Sequence, residues 1–337
     1  GSGRWLAATD TVALGVTGSQ TGIQVDPATA STLALAGFPS PVTAGASGGF
    51  TVTALDPYGN VATGYLGTVH FTSDDGAATL PSDTAFQAGD AGTRSFSATL
   101  VTVGSGRWLA ATDTLASGIT GSQTGIQIDP APAAILAVGG FPSPIIAGTS
   151  GDFSVTALDA YGNVATGYLG TVHFTSDDTA AILPADHAFL AADAGTRSFT
   201  ATLQSSGAGR SLTATDTTAP AITGSQTGIQ INEAPILNSA VSTTFVVGSA
   251  GSFTVTATGY PAPTYSVSGA LPSGVTLDGA TGVLSGTPDP GTGGTYPVTF
   301  TASNGVAPDD TQSCTLTVNE APTVTSADAT TFGVGVA

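Results

Sequence analysis

Along this chain, short runs of Val, Ile, Thr and Phe in which every second residue is apolar are separated by clusters of Gly, Pro, Asn and Asp. A period of two puts successive side chains on opposite faces of an extended strand. In Gly49–Asp56, Phe50, Val52 and Ala54 share one face, and Thr51, Thr53 and Leu55 the other. In Thr68–Phe71, Val69 and Phe71 take the core face, while Thr68 and His70 point outward. No stretch sustains apolar positions at spacings of three, four and seven, so no helix is predicted. Predicted strands are Thr32–Gly37, Gly49–Asp56, Gly67–Ser73, Thr93–Val101, Arg107–Asp113 and Thr120–Ile128, with a short extra one near Thr84–Gln87. Between two of them, Asp56-Pro57-Tyr58-Gly59-Asn60 is a turn by its chemistry: Pro presets φ, and Gly and Asn tolerate positive φ. Short strands bounded by such turns predict an all-β sandwich or barrel.

The pattern also repeats. Ala54–Asp75 returns at Ala157–Asp178, 103 residues on, with Pro57 replaced by Ala160 as the one change. The same shift carries Gly3-Arg4-Trp5-Leu6 onto Gly106-Arg107-Trp108-Leu109 and then onto Gly209-Arg210-Ser211-Leu212. A repeat of this kind defines an array of like modules. Residues 1–26 correspond to the last two strands of a module, Trp5–Asp10 and Gly18–Val25. Residues 27–129 form a complete module and 130–232 its repeat. Residues 233–319 carry a different pattern, and 320–337 match Glu233–Ala250 at a shift of 87, as the opening of a second module of that kind. The chain has no methionine and opens in mid-repeat, so it is expected to be an internal window of a longer protein. Junctions at Asp26-Pro27, Asp129-Pro130 and Asn232-Glu233-Ala234-Pro235 are short and stiffened by proline rather than loosened by Gly and Ser. They predict modules joined end to end as a rod. Ten-residue strands plus loops give about 40 Å per module, and the whole would reach on the order of 150 Å.

Residues 1–232, through the runs ALDxYGNVATGYLGTVHFTSDD, DAGTRSF and GSQTGIQ, resemble the bacterial immunoglobulin-like repeats of invasin- and intimin-type surface proteins, with some likeness to filamin repeats. Residues 233–337 resemble the putative Ig and cadherin-like modules of large bacterial secreted proteins. Here the resemblance rests on Leu271-Pro272-Ser273-Gly274-Val275-Thr276-Leu277-Asp278, Gly282–Pro288 and Tyr296–Ala302. The resemblance implies tandem Ig-like β-sandwiches on an extracellular or surface protein. It does not choose among stalk, spacer and adhesive tip.

Composition narrows the partners. The formal charge is −18, the basic residues are Arg4, Arg94, Arg107, Arg197 and Arg210, and there is no lysine. Nucleic acid is excluded as a partner, since phosphate binding needs a basic patch. No apolar run reaches the ~18 residues of a membrane span. Without lysine, an internal Lys–Asn isopeptide cross-link cannot form. The single cysteine, Cys314, makes no internal disulfide and alternates with Leu316 and Val318 as a small buried residue. At 41% hydrophobic the chain can fill several cores.

Candidate sites are few. Asp74, Asp75, Asp83 and Asp90 recur as Asp177, Asp178, Asp186 and Asp193, and read as turn-capping acids. Hard carboxylates on loops also suit calcium, which makes Asp74, Asp75, Asp177 and Asp178 calcium candidates. Glu233 and Glu320, at junctions resembling cadherin-like linkers, join them, although the companion acidic motifs of a cadherin site are missing. His70 and His173 hold the same outward position one module apart, too far to share a metal, and His187 stands where the other copy has Thr84, as a tolerant loop position. Trp5 and Trp108 correspond to Ser211 in the third copy. A core position does not take Trp and Ser interchangeably, so the indoles are expected on an outer face or under a loop. There they would serve as packing residues, as interface anchors or as platforms for sugar. No nucleophile elbow, His-x-x-x-His or phosphate loop occurs. The expected function is a structural segment of an extracellular fibre or stalk, without catalysis or cofactor. Its partners would be further modules or other copies of itself. An adhesin binding glycan or a host surface, and a spacer in a large secreted enzyme, are the alternatives. Thr- and Ser-rich outer faces suit O-linked sugar, and no Asn-x-Ser/Thr acceptor is present.

Overall fold

Each alternating run folds into a strand, and each apolar face finds a second sheet to cover it. The computed structural model describes residues 1–326, 328, 329 and 335. It opens with a hairpin of β1 (Arg4–Thr9) and β2 (Thr17–Ile23). The first full module contains β3 (Thr32–Ala36), β4 (Val42–Thr43), β5 (Ser47–Leu55), β6 (Thr68–Ser73), β7 (Thr84–Ala85), β8 (Thr93–Thr99), β9 (Gly104–Asp113) and β10 (Thr120–Asp129). They form two sheets, β3-β5-β8 and β4-β10-β9-β6-β7. All neighbours are antiparallel except β4 and β10.

The predicted faces hold. Phe50, Val52 and Ala54 on β5, Val69 and Phe71 on β6, Leu109 and Ala111 on β9, and Ile126 and Ile128 on β10 are all buried in one core between the sheets. The Phe71 ring lies 4.7 Å from Phe96 of the opposite sheet and 5.8 Å from Phe50. Each large side chain buried this way is worth about 1.5–3 kcal/mol. His70 stays exposed, as its outward position requires. Two features escape the alternation. The parallel strand β4 is two residues long, and Ala88–Asp90 forms one 3-10 turn, repeated at Ala191–Asp193. Both are too short to show a period.

The second module repeats the arrangement. It contains β11 (Ile135–Gly139), β12 (Ile145–Ile146), β13 (Ser150–Leu158), β14 (Thr171–Ser176), β15 (His187–Ala188), β16 (Thr196–Thr202), β17 (Gly207–Asp216) and β18 (Thr223–Leu237). Its sheets are β11-β13-β16 and β12-β18-β17-β14-β15, around a core of its own. The third module has β19 (Ser242–Val246), β20 (Gly251–Thr254), β21 (Ala257–Tyr260), β22 (Thr264–Ser268), β23 (Val275–Leu277), β24 (Val283–Gly286), β25 (Gly294–Ser303) and β26 (Asp310–Asn319). Its sheets are β19-β26-β25-β22 and β20-β24-β23, with Phe300, Leu284, Leu316 and Cys314 buried between them.

The two module junctions differ. β10 stops at Asp129, before Pro130, which has no N–H to continue a ladder. β18 runs on for 15 residues through Asn232 and Glu233 to Leu237. Ile229 and Ile231 of this strand lie in the second core and Leu237 in the third, and its far end pairs with β21. The register shifts between Glu233 and Ile236, and this irregularity accommodates Pro235 inside the strand. Of residues 320–337, which match 233–250 in sequence, 320–326, 328, 329 and 335 are described and none of them lies in a strand; the remainder of that match falls outside the described residues.

Candidate functional site

The acids at the turns are consumed by the chain's own donors. Asp75 is buried. Its Oδ2 accepts the N–H groups of Val101 and Thr102 at 2.6 and 2.9 Å, and its Oδ1 accepts the Thr102 hydroxyl at 2.6 Å and the Ala77 N–H at 3.1 Å. Asp178 does the same for Gln204, Ser205 and Ala180. Burial pushes these two carboxyls up, but the hydrogen bonds outweigh it and hold both below the ordinary aspartate value. Asp74 accepts the Trp108 N–H at 3.0 Å and pairs with Arg107 at 3.3 Å, and Asp177 accepts the Ser211 N–H at 2.7 Å. Glu233 accepts the Ser206 hydroxyl at 2.6 Å. Glu320 accepts the N–H groups of Gly291 and Gly293. Among the described residues, no three carboxylates, imidazoles or thiols converge as metal ligands.

Four further buried aspartates carry the turns, and the sequence did not single them out as sites. Asp56 and Asp159 each organise the loop that follows them. Asp159 Oδ1 accepts the N–H groups of Tyr161 and Asn163, while its Oδ2 accepts the N–H of Ala131 in the linker. Asp113 and Asp216 each accept a tyrosine hydroxyl, from Tyr65 and Tyr168, at 2.6 Å. Asp216 is held at about 2: burial opposes this, and the bonds from Tyr168, Ala219 and Thr218 outweigh it. For Asp56 and Asp159 a signal was present in the identical Asp-x-Tyr-Gly-Asn runs, whose loop bonds are local, but the linker N–H groups they also accept lie 28 residues away, and the tyrosines of Asp113 and Asp216 lie 48 away.

Trp5 sits on the β1–β2 hairpin, where nearly every residue is exposed, and is itself 67% exposed. Trp108 is half-buried on β9, its backbone carbonyl accepting the Ser73 hydroxyl. His70 and His173 each contact a carboxylate, Asp83 and Asp186, at 2.7 Å. His187 departs from its expected place in a loop. It lies on β15, mostly enclosed, with its ring edge-on to Phe189 and Phe199 and Nε2 3.7 Å from Asp193. Thr84 holds the equivalent position on β7, a two-residue edge strand. Cys314 is buried, and burial raises its thiol pKa. No helix among the described residues is long and apolar enough to cross a membrane.

Residues 234–319 match the family described as "Putative Ig domain". The adhesin FdeC of Escherichia coli is similar in structure, with 19% identity over 88% of this chain and 99% of its own, at a TM-score of 0.41. Invasin, a bacterial integrin-binding protein, gives 18% identity over 89% of this chain and 62% of its own, at a TM-score of 0.37. A Bacteroides fragilis protein described as a "putative alpha-galactosidase" shares 25% identity over 25% of this chain, at a TM-score of 0.23, and the chain spans 17% of its length. No curated protein matches the chain. The third module thus matches an Ig-domain family in sequence, and all three modules are Ig-like β-sandwiches in fold.

Proposed function

We propose that this chain is a structural segment of an extracellular bacterial fibre or surface stalk, and that it carries no catalysis of its own. The observation that carries this reading is the junction between the second and third modules, where one strand serves two cores. A strand shared in this way couples neighbouring modules, as a load-bearing or spacing element requires. The near-identical modules and the use of acidic groups to fix turns support the same reading. Further modules and other copies of the chain are its partners in this reading, with Trp5 and the half-buried Trp108 as candidate contact points. Electron microscopy of the native full-length protein tests it. Uniform filaments or stalks with an axial repeat commensurate with the modules are expected. Isolated flexible beads would overturn it and direct attention to adhesion or to a spacer role.

A further inference from the structure

The loop Asp159–Asn163 reaches back to the module before its own. The Asn163 amide bridges two backbone groups of the turn after β8. Its Nδ2 donates to the Val101 carbonyl at 2.8 Å, and its Oδ1 accepts the Val103 N–H at 3.1 Å. Two residues earlier, the Tyr161 ring lies over Gly45, where an added Cβ would overlap it. Gly45 has φ +80°, a conformation that glycine alone adopts without strain. Its N–H donates to the Leu100 carbonyl at 2.9 Å, so the two contact points on the first module are tied together.

Buried carboxylates hold both sides of this contact. Asp75 fixes the N–H groups of Val101 and Thr102 on one side. On the other, Asp159 fixes Tyr161, Asn163 and the linker residue Ala131. The loop of the first module has the same internal build: Asn60 makes the same bonds to Asp56 as Asn163 makes to Asp159. The residues one repeat before the 100–103 turn fall before Gly1 of this sequence, and Tyr58 is 83% exposed against 49% for Tyr161, which has Gly45 beneath it.

We propose that the turn 100–103 with Gly45 forms a socket, and Tyr161 with Asn163 a plug, that fix the orientation of the second module on the first. The equivalent turn of the second module faces a different neighbour and differs in sequence accordingly. Val101 and Val103, which offer only backbone to Asn163, become Gln204 and Ser206, and Ser206 donates its hydroxyl to Glu233. The turn after the last edge strand is therefore the element that matches a module to its successor. This deepens the structural reading above and rests on it only for its purpose. Junction geometry is measured on the isolated chain, whereas the stalk reading is measured on native assemblies.

The test uses the intact chain with Asn163→Ala and, as the control, Asn60→Ala, which costs its loop the same internal bonds. The Val103 amide is expected to exchange at least tenfold faster in Asn163→Ala and at the wild-type rate in Asn60→Ala. Residual dipolar couplings of residues 27–129 and 130–232 should fit one alignment tensor in the wild type and in Asn60→Ala, and two tensors in Asn163→Ala. Gly45→Ala and Gly148→Ala give a second matched pair. Both strain a left-handed position, but Gly45→Ala alone collides with the next module's tyrosine, so it alone should separate the tensors. Equal Val103 exchange in the wild type and Asn163→Ala, or two tensors in the wild type, would overturn the proposal.

Discussion

Tyr65 and Asp113, both buried, share a 2.6 Å hydrogen bond from hydroxyl to carboxylate. Tyr65→Phe leaves that carboxylate one donor short in a dry place, and about 1–3 kcal/mol should be lost. The loss is to be read from urea unfolding on the first module's own transition, since a chain of several modules has no single unfolding free energy. Acid should act through the same class of group. Asp216 sits at about 2, below the ordinary value of 3.8. A carboxyl depressed on folding adds stability above its unfolded pKa and loses it as pH falls through the folded one. The second module's melting temperature should therefore drop from about pH 3.8 to 2, and Asp216→Asn should be less stable at neutral pH and flatter over that window. These roles were half legible. The sequence marked Asp75 and Asp178 as turn acids or calcium ligands. Their partners at 101–102 and 204–205 lie 26 and 27 residues away, and no local pattern reveals them.

Strands were the most legible part of the chain, because alternation of Phe50, Val52 and Ala54 against Thr51 and Thr53 admits one orientation when one face must be buried. β4 and the 3-10 turns carry too few residues for a period. β18 hid for a different reason. Pro235 suggested a stiff linker, yet the irregularity between Glu233 and Ile236 lets the strand continue past it. Where the first junction has Pro130, the second has Glu233, paired with Tyr260 and bonded to Ser206. Glu233→Pro should sever that continuity. With about 1 kcal/mol lost per hydrogen bond, calorimetry should show the third module melting roughly 4–8 °C lower, with the first module unchanged. An unaltered third transition would mean that strand continuity contributes little to this junction.

In the whole molecule, successive modules are tied by the chain's own hydrogen bonds, between Asn163 and both Val101 and Val103 at one junction and from Ser206 and Asn304 to Glu233 at the next. Since the acidic groups at the junctions are occupied by N–H and O–H groups, removing calcium with a chelator should leave the shape unchanged. A chelator-induced collapse of the scattering profile would instead assign them to the metal. Small-angle X-ray scattering of the intact chain reads whether these junctions are stiff. A stiff array of this length gives a maximum dimension on the order of 150 Å, a radius of gyration of about 40 Å and a clear rod cross-section regime. A radius of gyration near the ~20 Å of a compact chain of this size, or a profile without that regime, would contradict the account.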